Sequence, residues 1–127
     1  MWGEMREHKY RIWDHDNNSY IYFDLFNSHK ALTAYGTEGE KEEQYIGLND
    51  KNGVEIYEGD ILKCVGITSI SPGFQTYEFI VEVKYVNEDA SFRGIDHKDE
   101  QSVGFQYAVI KMGEIIGNIH ETPELLQ

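Results

Sequence analysis

Three groups of residues have the types that chemistry requires. Asp14-His15-Asp16 places two carboxylates around an imidazole, a set that can ligate a cation or pass a proton. Asp96-His97-Lys98-Asp99-Glu100 repeats that composition with a lysine at its centre. Glu55, Glu58 and Asp60 stand close enough in the chain for two carboxylates to share a proton or a cation. Each group also has a structural reading, and in each case it is the stronger one. Adjacent residues in a turn rarely converge on one ion, and a calcium loop needs a longer acidic spacing that ends in a bidentate glutamate. The 96–100 run, with lysine among its acids and no partner motif, reads as an exposed loop. Asp60 follows Gly59, where aspartate anchors a turn by a side-chain to backbone bond.

We therefore expect no catalytic residue, no metal site and no cofactor. Glu55, Tyr57, Glu58 and Asp60 remain as candidate interaction residues, with Glu58 exposed and dispensable for folding. The glycines at 36, 39, 47, 53 and 59 do not precede a helix as a phosphate-cradling loop requires, and neither CxxC nor HExxH occurs. Cys64 is the single cysteine, in an apolar stretch, and reads as a small buried hydrophobe. Trp13, Tyr20, Tyr22, Phe23 and Phe26 could stack on bases. They lack interleaved Arg and Lys, so hairpin packing is the better reading.

The elements that must position these residues are strands. IGLNDKNGVEIYEGDIL, residues 46–62, holds Asn52-Gly53, a signal for a two-residue type I′ hairpin, and then a break at Glu58-Gly59-Asp60. Gly53 and Gly59 are both expected to be needed for folding. Lys9–Asp14 and Ser19–Phe26 read as an N-terminal hairpin, with Arg11 and Trp13 on one face of its first strand. Residues 27–43 read as a polar loop with a helical turn near His29–Ala34, and 36–43 as its exposed, mobile part. Residues 60–66 form a strand, and Ser69–Gln75 a loop. Tyr77, Phe79, Val81, Val83 and Tyr85 alternate with Glu78, Ile80, Glu82 and Lys84, which puts the first set inward, with Ile61, Val65, Ile115 and Ile119 near them. Ser91–Ile95, Val103–Met112 and Glu114–Ile119 supply further strands. Thr122-Pro123 opens a closing helical turn that plugs one end of a barrel. The fold class is thus mainly β: a small SH3-type roll or barrel with an N-terminal hairpin, divided as 1–43 and 44–127 within one unit.

Of 127 residues, 40% are hydrophobic and the net charge is −12. Half of that excess falls in 31–60, where Glu38, Glu40, Glu42, Glu43, Asp50, Glu55, Glu58 and Asp60 face only Lys41 and Lys51. Such a field disfavours nucleic acid and permits basic partners. No apolar run is long enough for a membrane helix, and no signal peptide is visible, so we expect a protein of a reducing cytoplasm.

Three segments resemble the YopX family of small phage and prophage proteins: MREHKYRIWD (5–14), QYIGLNDKNGVEIYEGDILK (44–63) and EIIGNIHETPELL (114–126). Departures from that pattern are His120, where tyrosine is more usual, and Thr122, where asparagine is. The resemblance implies an SH3-type β-roll after an N-terminal hairpin, a natural start at Met5, an origin in a phage or prophage genome, and no established reaction. We accordingly expect a non-catalytic binding or assembly module acting in the bacterial cytoplasm on an unidentified host or phage protein, with self-association left open. One alternative is an acidic mimic of nucleic acid that occupies a host DNA-binding protein. A second is a metal-dependent enzyme or a nucleic-acid binder.

Overall fold

Period-two alternation sets the strands, and turn residues cut them to length. The computed structural model describes residues 8–24, 26–27, 31, 34–68, 73, 75–98, 101–104 and 113–127. Strands β1 (Lys9–Asp14) and β2 (Ser19–Asp24) pair as the N-terminal hairpin. The free edge of β1 takes β3 (Glu43–Asn49), which takes β4 (Glu55–Tyr57), giving the order β2-β1-β3-β4. A second sheet runs β8-β7-β6-β5-β9, from β5 (Asp60–Thr68), β6 (Gln75–Val86), β7 (Ser91–Asp96), β8 (Gln101–Gly104) and β9 (Glu114–Asn118). All pairings are antiparallel, and one sheet curls into a half-barrel. The fold is mainly β and barrel-like, with the expected N-terminal hairpin and a short C-terminal 3-10 turn, Pro123–Leu126.

The two sheets meet where β4 passes into β5 across Glu58 and Gly59. Gly59 sits at φ +85°, donates its N–H to Val83 O (2.9 Å) and accepts from Ile119 N–H (2.9 Å). One residue thereby ties the crossing to β6 and to the end of β9, in a backbone conformation that a side chain would strain.

The apolar core is Ile56, Leu62, Cys64, Val81 and Val83, each about 1% exposed, with Ile46, Phe79 and Ile115 packed against it. Leu62 pairs with Val81 and Cys64 with Phe79, so these point to the same face. The expected inward set holds at its centre and fails at its ends: Tyr77 is 51% and Tyr85 45% exposed, although both are paired in the sheet, Tyr77 with Gly66, which has no side chain to cover it, and Tyr85 with Phe92. On β5 the inward residues are Leu62 and Cys64. Ile61 is fully buried on the opposite face, paired with the buried Glu82. The closing turn packs against β6 and β9.

Local turn chemistry changes other expectations. The Asn52-Gly53 turn is not a two-residue type I′. Only Gly53 has positive φ (+82°), and the loop runs from Asp50 to Val54 between the paired Asn49 and Glu55. Asp50 is the reason: its Oδ1 accepts from Asn52 N–H and Val54 N–H, both at 2.9 Å, and its Oδ2 from Ile115 N–H at 3.0 Å. β2 stops at Asp24, whose Oδ1 accepts from Phe26 N–H and Asn27 N–H and turns the chain. Within 36–43, Gly36, Thr37 and Glu43 are buried, and exposure narrows to Glu38, Gly39, Lys41 and Glu42. The 3-10 turn Tyr35–Thr37 is seated on the β1–β2 turn, with His15 N–H donating to Gly36 O at 2.7 Å. Thr122 holds the N-cap position of the closing turn, but its hydroxyl bonds backward to Asn118 and caps nothing. Residues 105–112 of the expected 103–112 strand lie outside the described residues, as do Asp99, Glu100 and most of the 29–34 turn and the 69–75 loop.

Candidate functional site

A charge that shares a strand face with an aromatic residue must find a partner when that face is covered. Arg11 is that charge. β1 is buried from Arg11 to Asp14, and the Arg11 side chain is only 5% exposed. Its guanidinium lies 3.9 Å from the centre of the Tyr20 ring and 4.8 Å from that of Tyr57, between two aromatic faces. Nε donates to Glu43 Oε1 (2.8 Å), and Nη2 donates to Asp60 Oδ1 (2.9 Å) and to the Glu58 carbonyl (3.0 Å).

Both carboxylates bridge further. Asp60 Oδ2 accepts from Tyr57 N–H at 2.8 Å, the turn anchor expected from the sequence. Glu43 Oε2 meets His120 Nε2 at 2.8 Å. The His120 ring stacks on Trp13 with centroids 4.9 Å apart and planes 2° apart, and Glu40 stands 4.0 Å from its Nδ1. The cluster thus links β1, β3, β5 and the segment after β9.

Burial favours neutral forms here, and the charges answer it. Desolvation opposes the Arg11 cation, but Asp60, Tyr20 and Glu43 outweigh it and leave the guanidinium more firmly protonated than in water. Burial pushes Asp60 above its ordinary value, with Arg11 and the Tyr57 N–H pulling it back. Burial also pushes the Tyr57 hydroxyl up to about 12 and raises that of Tyr20. Among the described residues the buried Tyr20 hydroxyl makes no hydrogen bond of full geometry, and the Glu43 carboxylate near it helps to raise it.

Two cavities flank the cluster. One, about 360 Å³, is lined by Glu43, Glu58, Glu82, Tyr85 and His120, with Lys41 and Lys84 at its edge. The other, about 430 Å³, is lined by Arg11, Tyr20, Tyr22, Tyr57, Asp60 and β9 residues. In the first, Glu43 and His120 form an acid–base pair by type. Both faces of that pairing are engaged, by Arg11 on one side and by the Trp13 stack on the other. Cys64 is apart, in the apolar core, where burial pushes its thiol up to about 11. No group of three or more His, Cys, Asp or Glu among the described residues is placed to hold a metal ion.

The interaction residues expected from the sequence fall around this cluster. Asp60 and Tyr57 are buried in it. Glu55 is half-buried, lines the larger cavity and pairs with Lys9. Glu58 is not the exposed residue expected. It is half-buried, its Oε1 accepts from Gln44 N–H, and its own N–H donates to Gln44 O, each at 2.9 Å. Asp14 does what turn chemistry requires, accepting from Asp16 N–H, Asn17 N–H and Asn17 Nδ2. His97 Nε2 lies 2.8 Å from Glu82, and Asp96 accepts from Lys98 N–H. Sequence reasoning missed Arg11, Glu43 and His120. The one available signal was Arg11 sharing a face with Trp13.

The family model described as "YopX protein" matches residues 9–127, which contain the whole cluster. The chain belongs to the YopX family. Among solved structures, this YopX chain is similar to "Crystal structure of protein EF1440 from Enterococcus faecalis", at 23% identity, with 94% of this chain and 98% of that one covered and a TM-score of 0.58. At that identity the likeness speaks for the fold. No curated protein matches the chain. No helix among the described residues is long and apolar enough to cross a membrane.

Proposed function

We propose that this YopX chain is a non-catalytic binding or assembly module, made by a phage or prophage and acting in the bacterial cytoplasm. The observation that carries this reading is the commitment of the ionisable groups at the seam. Arg11, Glu43, Asp60 and His120 hold one another and the sheets together, while large side chains remain on the surface beside them. Groups so engaged build a rigid platform and are poorly placed to exchange protons with a substrate. The cytoplasmic assignment rests on the lone thiol in a buried position and on the family's expected phage origin.

Cross-linking in a bacterial host that expresses the tagged chain, followed by identification of the linked peptides, tests the reading. A reproducible partner, linked through defined residues of this chain, is the expected result. A chain that links to nothing reproducibly in infected and uninfected cells would remove it.

A further inference from the structure

The larger cavity differs from the smaller in what its walls leave free. Tyr22 is 58% and Val54 52% exposed, and both line it. An aromatic and an aliphatic side chain open to water in one concave surface is what binding sites present and folded monomers otherwise limit. Tyr20 and Tyr57 continue the aromatic wall: Tyr22 packs edge-on to Tyr57 at 5.6 Å and tilted against Tyr20 at 6.0 Å. Ile115 and Gly117 of β9 also line it.

Beside the Tyr20 hydroxyl, the cavity carries a second polar function that is not engaged among the described residues. Arg11 lines the cavity, its Nε and Nη2 are committed to Glu43, Asp60 and Glu58, and its Nη1 has no hydrogen-bond partner among the described residues. Held by two carboxylates and two rings, that nitrogen is a fixed donor that waits for an acceptor. The acceptor is not an anion. Arg11 is already neutralised by Glu43 and Asp60, Glu55 and Glu121 add negative charge at the rim, and the chain carries −12 overall. A phosphate or carboxylate entering here would be repelled. A neutral carbonyl oxygen meets Nη1 without that cost, and a cationic side chain beside it meets the rim.

We propose that this groove docks an extended, basic peptide segment of a partner protein. A backbone carbonyl of the segment accepts from Arg11 Nη1, its apolar side chains lie on Tyr22, Tyr57 and Val54, and an Arg or Lys reaches Glu121. Glu121 is exposed and has no ion pair among the described residues, whereas Glu55 is shared with Lys9. The proposal rests on the reading of the chain as a binding module and names its partner's chemistry.

The test is an NMR titration of the isotope-labelled full chain with a short capped peptide of alternating arginine and proline. The same peptide with glutamate in place of arginine is the control. Saturable shifts at Tyr22, Val54, Ile115, Gly117 and Glu121, absent with the glutamate peptide, are expected. Affinity should fall roughly tenfold in Tyr22→Ala and several-fold in Glu121→Lys, and should weaken with salt. Glu121→Lys changes an exposed side chain and keeps the test available if Tyr22→Ala folds poorly. No saturable shift with the arginine peptide overturns the proposal, as do equal shifts with the glutamate peptide, shifts confined to other surfaces, or a self-associated chain with the groove covered by a second copy. The two readings separate by the cross-linking experiment. A partner linked through another surface, with no peptide binding here, overturns this groove and leaves the binding-module reading standing.

Discussion

The molecule has two centres built by opposite means. On the five-stranded sheet, Leu62, Cys64, Val81 and Val83 pack with Ile56 of β4 and exclude water by apolar contact. At the seam between the sheets, Arg11, Glu43 and Asp60 are as thoroughly excluded and are held by hydrogen bonds and aromatic faces. The first gains from each methyl group it buries, and its parts can be trimmed one at a time. The second is balanced: its desolvation cost is offset only while every partner is present. An apolar core sets how stable a fold is, and an ionic seam sets what happens when a single partner is removed.

The comparison breaks first at Arg11. Arg11→Ala leaves two buried carboxylates without a cation and should cost about 3–5 kcal/mol, read as a lowered urea midpoint. Replacing Arg11, Glu43 and Asp60 together by apolar residues of similar size should recover much of that loss. If the single substitution costs less than a methyl deletion in the apolar core, the seam is not balanced in the way described. The matching change there is Val81→Ala, expected to cost about 1.5–3 kcal/mol from lost burial and a residual cavity. An unchanged midpoint would show that the sheet closes over the gap.

These two centres were unequally legible in the sequence. The apolar one announces itself locally, because Val81 and Val83 recur at period two within one strand, and only the ends of the run, Tyr77 and Tyr85, misled. The ionic one is assembled over distance. Glu43 and Asp60 look like members of an acidic surface block until β1 is laid against β3 and Arg11 arrives between them. Pairing partners so far apart in the chain leave no periodic trace, and a buried carboxylate has the same letter as a solvated one. Glu58 was misread for the same reason: its partner is a backbone N–H of β3, which no residue type records. Asp60 was legible as a turn anchor because turn chemistry is local, and it anchors its turn as that chemistry demands. The groove's aromatic wall needed β2 and β4 to be brought together, and the sequence does not show which strands those will be.

Two glycines sharpen the contrast. Both Gly53 and Gly59 have positive φ, so alanine at either should cost roughly 1–2 kcal/mol in backbone strain. At Gly53 a Cβ would meet open space, whereas at Gly59 it would come within 2.9 Å of the Glu43 carboxyl. Gly59→Ala should therefore lose more than Gly53→Ala, and double-mutant cycles with Glu43→Gln should show coupling only for Gly59. Equal losses with no coupling would mean that the carboxylate swings aside freely and that the seam is looser than its hydrogen bonds imply.

The smallest effect is one of pH, and it distinguishes a carboxylate that burial disfavours from one that bonding favours. Burial raises Glu58 above its ordinary value, against the Gln44 N–H that pulls it back, while the Asn17 amide and the 16–17 backbone lower Asp14. Between the unfolded and the raised folded pKa, folded Glu58 binds more protons than the unfolded chain does, so its contribution to stability rises as pH falls through that window. Ionised Glu58 is thus a cost at neutral pH that mild acid relieves. Asp14 has the opposite sign: its contribution is complete above the unfolded pKa and is lost as pH falls through the lowered folded value. Glu58→Gln keeps an oxygen for the Gln44 N–H and removes the charge. Its melting temperature should exceed the parent's slightly at neutral pH, and the gap should close as pH falls through the ordinary carboxylate range. Asp14→Asn should behave in reverse, lying below the parent at neutral pH and converging only in stronger acid. A Glu58→Gln gap that widens in acid would mean that the Gln44 bond outweighs burial, which would place Glu58 with the bonded carboxylates of the seam instead of with the half-buried ones at its edge.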